Sequence, residues 1–197
     1  EIRTWRTPEG KLDCEMSGPM KGQFADKVDA FLNVINNLKV IAEVDGKNAY
    51  NLYNPPLPSP AGLRPFERKL RSEVEGIVLP ATATLSVTPR CPCRCVHCSA
   101  DKFVTEDREE LSTAELKRVI DETLDLGVCT LIFTGGEPMA RRDLYELIDH
   151  TDKHRAHVMI FTSGVLLTEK NVDRLADAGL GSLNVSIDAL DPETHNE

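Results

Sequence analysis

The sequence has no apolar run approaching the roughly 20 residues that a bilayer-spanning helix needs, and no signal-peptide pattern opens it. A membrane partner is therefore not expected. It also lacks any concentration of lysine and arginine: 23 basic residues stand against 32 acidic ones, for a net charge of −9. Phosphate is repelled by such a surface, so no nucleic-acid partner is expected either. The cysteines are not spread out as a disulfide framework requires, since four of the six fall between Cys91 and Cys98. Clustering of this kind reads as metal ligation by thiolates in a reducing compartment, and a cytoplasmic location is expected. A starting methionine is missing too. The chain opens on Glu1 and stops at Glu197, just after an apparent strand and turn, so it is expected to be a piece of a longer protein.

What is present divides into three regions. In residues 1–54, Phe24, Val28, Phe31, Leu32, Ile35 and Leu38 recur at helical spacing and predict one amphipathic helix. Val40 to Val44 and Asn48 to Tyr53 flank Asp45-Gly46, which predicts a hairpin. This helix and hairpin form a small α+β appendage with no evident chemistry. Residues 55–80 read as a linker and connecting segment. Four prolines fall in the six residues Pro55 to Pro60, and the charged stretch Arg64 to Glu75 predicts a short connecting helix with a solvated face.

Residues 81–197 are far more regular. Thr82 to Thr88 is a β-rich run that ends at the cysteines. Ser112 and Glu115 form a capping box for a helix whose stripe is Leu116, Val119, Ile120 and Leu124, with Gly127 as its stop. Cys129 to Phe133 predicts a buried strand. Leu144, Leu147 and Ile148 mark a helix, and His157 to Phe161 a strand. Thr168 caps a helix carrying Val172, Leu175 and Ala176, and Ser182 to Ile187 predicts a fourth strand. Apolar strands joined by crossover helices belong in a parallel sheet of the α/β class, either doubly wound or barrel-like. In both, ligands bind at the carboxyl ends of the strands. Every unusual cluster in this chain follows a strand: the cysteines, Gly135-Gly136-Glu137-Pro138, Thr162-Ser163-Gly164 and Ser186-Ile187-Asp188. Four clusters on one rim predict one site.

Cys91, Cys95 and Cys98 have C-x3-C-x2-C spacing. A loop of that length can wrap three thiolates around three corners of a cubane cluster and leave the fourth iron open. A structural zinc site, with Cys93 or His97 as fourth ligand, is the bland alternative; zinc knuckles bring two ligand pairs from separate places, and no second pair is evident. Cys93 itself lies off the ligand spacing, and Cys129 reads as core.

Cysteine loop and Gly-Gly-Glu-Pro turn together resemble the radical SAM superfamily, over about residues 82 to 197. The resemblance implies the first four βα units of a partial (β/α)6 TIM-like barrel. It implies a 4Fe-4S cluster on Cys91, Cys95 and Cys98, whose open iron is chelated by S-adenosyl-L-methionine. Gly135 and Gly136 would then contact the methionine ammonium, with Glu137 placed to accept from it. Ser186 and Asp188 resemble positions used near the ribose or carboxylate of that cofactor. Thr162 and Ser163 resemble the first two residues of a Thr-Asn-Gly turn, with serine in place of asparagine; either could instead simply end a strand. His97 matches a position that packs near the adenine.

The implied reaction is reductive cleavage to a 5′-deoxyadenosyl radical that abstracts hydrogen, fed by a low-potential donor of flavodoxin or ferredoxin type. The tract from Ser182 to His195 is similar to members that mature peptides or build cofactors, often with further clusters in a C-terminal extension (SPASM-type). A peptide or a small molecule is the expected substrate. Two other classes stay open: an electron-transfer iron–sulfur protein with a fourth cysteine ligand, and a zinc-stabilised binding module without catalysis.

Overall fold

A computed structural model describes residues 1–19, 21–100 and 109–193. His195 lies outside the described residues. The chain divides into two compact units, Glu1–Ala81 and Thr82–Glu197.

In the first unit, β1 (Ile2–Arg6) and β2 (Leu12–Met16) pair antiparallel. This hairpin was not foreseen. Its signal was the Pro8-Glu9-Gly10 turn, where Gly10 adopts φ +80°. Helix α1 (Lys21–Asn37) follows, then β3 (Ala42–Val44) and β4 (Lys47–Ala49). Asp45 and Gly46 both have positive φ, as a two-residue hairpin turn demands. Helix α2 (Pro60–Glu75) is longer than the expected connecting helix, and its face is not merely solvated. Ser59 caps it by accepting from Gly62 N, and Phe66 and Leu70 pack with Phe24 and Val28 of α1. The charge of the Arg64 to Glu75 stretch concealed that apolar stripe. The proline run also carries structure of its own: Leu57 is buried with Leu12 and Leu63, and it exchanges backbone hydrogen bonds with Asn48.

The second unit is an α/β unit in which β5 (Thr82–Thr88), β6 (Thr130–Gly135), β7 (His157–Thr162) and β8 (Ser182–Val185) form one parallel sheet. Their spatial order follows their sequence order. A doubly wound sheet reverses its order at a switch point; these four strands contain no such reversal. Helices α3 (Thr113–Asp125), α4 (Leu144–His150) and α5 (Glu169–Asp177) make the crossovers. The Ser112–Glu115 capping box is present, with Ser112 N donating to Glu115 Oε2 at 2.8 Å.

One core cluster joins the layers. Ile120, Leu131, Phe133, Leu144, Leu147, Ile148 and Ile160 all have no exposed surface. Helix α5 contributes less than its sequence stripe suggests: Leu175 is buried, while Val172 and Ala176 are exposed. Among the described residues, no helix is long and apolar enough to cross a membrane.

Candidate functional site

The carboxyl ends of β5 to β8 open onto a cleft of about 1370 Å³. Cys91, Cys95, Cys98, Gly135, Gly136 and Ser163 line it, as do Thr162, Ser186 and Asp188. Each of the four clusters expected on one rim therefore contributes to one cavity, although Glu137, Pro138 and Ile187 are not among its lining residues.

The cysteine loop is held by backbone contact. Gly136 N donates to Thr88 O at 2.8 Å, and Glu137 N donates to Arg90 O at 2.7 Å. A Cβ on Gly135 would stand 2.2 Å from Thr88 O, and one on Gly136 would stand 2.3 Å from Arg90 O. Gly135 also has φ +143°, outside what side-chain-bearing residues readily adopt. Sequence reasoning explained these glycines by the close approach of a ligand. The structure gives them another duty, which is to let the root of the cysteine loop lie directly on the turn after β6.

A cluster of charges that sequence reasoning missed braces the same root. Arg90 Nε and Nη2 grip the Glu110 carboxylate at 2.9 and 3.1 Å, and Thr88 Oγ1 donates to the same group. Arg141, with only 5% of its surface exposed, donates to Val87 O at 2.7 Å and to Leu111 O and Asp143 Oδ2 at 2.9 Å each. Its Nε lies 2.9 Å from Asp143 Oδ1 as an ion pair, without hydrogen-bond geometry. Burial works to raise the Glu110 carboxyl. The hydrogen bonds from Thr88 and Arg90 and the charges of Arg90 and Arg141 outweigh it, leaving Glu110 below the usual carboxylate range. Asp143 is also lowered: burial again opposes, and Arg141 and Thr113 prevail. Apart from Arg141 and Asp143, which are two residues apart, these partners lie 20 to 54 residues apart in sequence, so no local pattern announces them.

The thiols are free of disulfides; Cys95 is exposed, and Cys91, Cys93 and Cys98 are half-buried. Cys98 N donates to Cys95 O at 3.1 Å, closing a turn between two of the expected ligands. Burial pushes the Cys91 and Cys95 thiols up, and for Cys95 the neighbouring Cys93 and Cys98 thiols and the Asp188 charge add to it. A bound metal reverses this, because its positive charge deprotonates a coordinating thiol.

Among the described residues, no group of three His, Cys, Asp or Glu side chains converges so as to hold one metal ion. A cubane does not require that convergence, since each thiolate binds its own iron. Three soft donors on one short loop, beside an open cleft, fit such a cluster.

Ser186 N donates to Thr162 O at 2.9 Å, which aligns the ends of β7 and β8. Asp188 stands at the cleft with its Oδ1 3.5 Å from His97 Nε2, joining the far end of the cysteine loop to the end of β8. Glu137 is different from the rest. It is 1% exposed and turned into the protein, where its carboxylate accepts from the Thr162 and Ser163 side chains.

The sequence profile of the Radical SAM superfamily matches residues 85–197, more than half of the chain. The chain belongs to the radical SAM superfamily. Members of this family use a 4Fe-4S cluster and S-adenosylmethionine.

Relatives within the superfamily include the PqqA peptide cyclase of Rhizobium meliloti, 44% identical over 118 residues, which cover 59% of this chain and 32% of that protein. The PqqA peptide cyclase of Bradyrhizobium diazoefficiens is 38% identical over 123 residues, covering 62% of this chain and 32% of the other. A probable GTP 3′,8-cyclase of Methanococcus maripaludis is 37% identical over 114 residues, covering 57% and 38%. The chain thus spans about a third of the length of the curated relatives it matches. Among solved structures, Streptococcus suis SuiB bound to precursor peptide SuiA aligns with a TM-score of 0.53 at 18% identity, over 89% of this chain and 39% of that one. That likeness is one of fold.

Proposed function

We propose that this chain is the cluster-bearing part of a radical SAM enzyme that modifies a peptide, with Cys91, Cys95 and Cys98 as ligands to three irons of a 4Fe-4S cluster. One observation carries the reading. The loop bearing these thiols is wedged onto Gly135 and Gly136 at the mouth of a cleft whose other walls are the turns after β7 and β8. A 4Fe-4S cluster held there by Cys91, Cys95 and Cys98 would supply the one-electron reduction for cleavage of S-adenosylmethionine, and with it the radical chemistry that removes hydrogen from a substrate. The chain's own part is to hold and orient. Gly135 and Gly136 form the floor beside the cluster, Thr162 and Ser163 the next wall, and Ser186 and Asp188 the polar end suited to a ribose or carboxylate.

In this reading residues 81–197 are the first four βα units of a partial (β/α)6 barrel. Residues 1–54 and 55–80 are an accessory unit and its connection. The electron comes from a low-potential flavodoxin or ferredoxin, in the cytoplasm. A peptide substrate is supported by the relatives named PqqA peptide cyclase and by the fold neighbour bound to a precursor peptide. The relatives named probable GTP 3′,8-cyclase favour a second reading, cyclisation of a small molecule.

The test is iron and acid-labile sulfide content after anaerobic reconstitution of the full-length protein. Cys91→Ala, Cys95→Ala and Cys98→Ala each lose the four-iron content, whereas Cys93→Ala keeps it. Full iron content in any of the first three variants, or zinc in place of iron in the parent, contradicts the proposal.

A further inference from the structure

The Glu137 carboxylate occupies an unexpected place for a group read as the acceptor of a cofactor's ammonium. It is not among the residues that line the cleft, although Gly135 and Gly136 before it are, and so are Thr162 and Ser163. Its two oxygens are filled from within the protein. Oε1 accepts from Met139 N at 3.0 Å and from Thr162 Oγ1 at 2.7 Å. Oε2 accepts from Ser163 N at 2.8 Å and from Ser163 Oγ at 2.7 Å. An ionised carboxylate has about four acceptor sites, and all four are taken.

We infer that Glu137 is a positioning residue: its saturated carboxylate ties the turn after β6 to the turn after β7, and the ammonium of S-adenosylmethionine is received by other groups of the cleft. The inference rests on the proposal that this cleft binds S-adenosylmethionine. The two turns it joins are two walls of that cleft, so their spacing is set by one buried group. Thr162 extends the tie, since its Oγ1 also accepts from Gly164 N at 3.0 Å.

The donor pattern makes a carboxylate obligatory. Each oxygen takes one backbone N–H, from Met139 on one side and Ser163 on the other. Glutamine offers one oxygen and one NH2 group, so either orientation sets an NH2 against a backbone N–H and leaves that buried donor unmet. The hydroxyls of Thr162 and Ser163 can turn to accept; the backbone donors cannot.

Two measurements on the full-length enzyme test this. The first is thermal unfolding without cofactor, where Glu137→Gln lowers the midpoint by roughly 5–10 °C, and Thr162→Val and Ser163→Ala lower it less. An unchanged midpoint for Glu137→Gln overturns the inference. The second is equilibrium binding of S-adenosylmethionine and of its analogue with the amino group replaced by hydrogen. Glu137→Gln weakens both ligands by the same factor, on the order of tenfold, because the walls have moved. A penalty present with S-adenosylmethionine and absent with the analogue means that Glu137 contacts the ammonium directly, and it overturns the inference whatever the midpoint does. If the parent binds neither ligand, the proposed function is contradicted, and the unfolding measurement alone decides whether the tie exists.

Discussion

The two units bury different kinds of residue. In the first, the buried groups are apolar side chains in two small clusters, around Phe24 and Phe66 and around Leu12 and Leu63, with Asn48 as the buried polar residue. Asn48 has a structural job: its side chain donates to Gly10 O at 2.8 Å and its backbone pairs with Leu57. The second unit has one large apolar cluster and, at the carboxyl edge of its sheet, the buried polar residues Thr88, Glu137, Arg141 and Thr162. Burying ionisable groups costs stability unless every one is met. A fold that does so with Glu137 and Arg141, around the loop with the thiols, gives up that stability to hold a shape. The difference teaches where to look: beside the thiol loop Glu137 and Arg141 are buried to fix backbone, whereas among the described residues the first unit buries no ionisable side chain.

Glycines sharpen the contrast most. Gly136→Ala places a Cβ 2.3 Å from Arg90 O, so the cysteine loop must shift. The expected cost is about 4 kcal/mol or more, read by denaturant unfolding, with loss of iron uptake. A near-neutral result would mean that the loop is not wedged. Removing the buried cation comes next. Arg141→Ala leaves Val87 O and Leu111 O without this donor and Asp143 without its cation, though Thr113 still donates to it, at a cost of about 3–5 kcal/mol. Unfolding at the same denaturant midpoint as the parent would contradict the bracing.

Acid gives a smaller effect of known sign. Glu110 and Asp143 have folded pKa values below their ordinary ones. Their contribution to stability is therefore complete above about pH 4–5 and is lost as pH falls through the lowered values. In the first unit, Glu1 and Glu9 are also lowered but lie fully exposed, so screening leaves them little weight. Between about pH 5 and 2 the second unit should lose more stability than the first, followed by hydrogen exchange in each. Glu110→Gln should flatten that loss, and equal loss in both units would break the comparison. The smallest effect is a gain. Gly22 sits in α1 without a positive φ, and a Cβ added there would meet nothing within 4 Å. Gly22→Ala should therefore add about 0.5 kcal/mol, and a loss of stability in denaturant unfolding would contradict it.

Much of the second unit was legible because its signals are local. The Ser112–Glu115 capping box, the stripe through Leu116, Ile120 and Leu124, and the Thr168 cap all act within a few residues, and each is found in the structure. The cysteine spacing is local in the same way. Arg90, Glu110 and Arg141 meet only because the sheet brings three turns together, and nothing in their spacing could show it. The same holds for Glu137: its chemical type was legible, whereas three of its four donors, on Thr162 and Ser163, are brought to it by the tertiary fold. In the first unit, the β1–β2 hairpin and the buried face of α2 were concealed by charged residues interleaved with the apolar ones, as in Arg3-Thr4-Trp5-Arg6 and Arg64-Pro65-Phe66-Glu67.

The central claim, that the thiol loop beside this cleft holds a cluster open to S-adenosylmethionine, is tested most directly by low-temperature EPR of the anaerobically reconstituted, reduced full-length protein with and without S-adenosylmethionine. The account predicts a four-iron signal that changes when S-adenosylmethionine is added and disappears in Cys95→Ala. A signal indifferent to S-adenosylmethionine, or a colourless protein holding zinc, would contradict it.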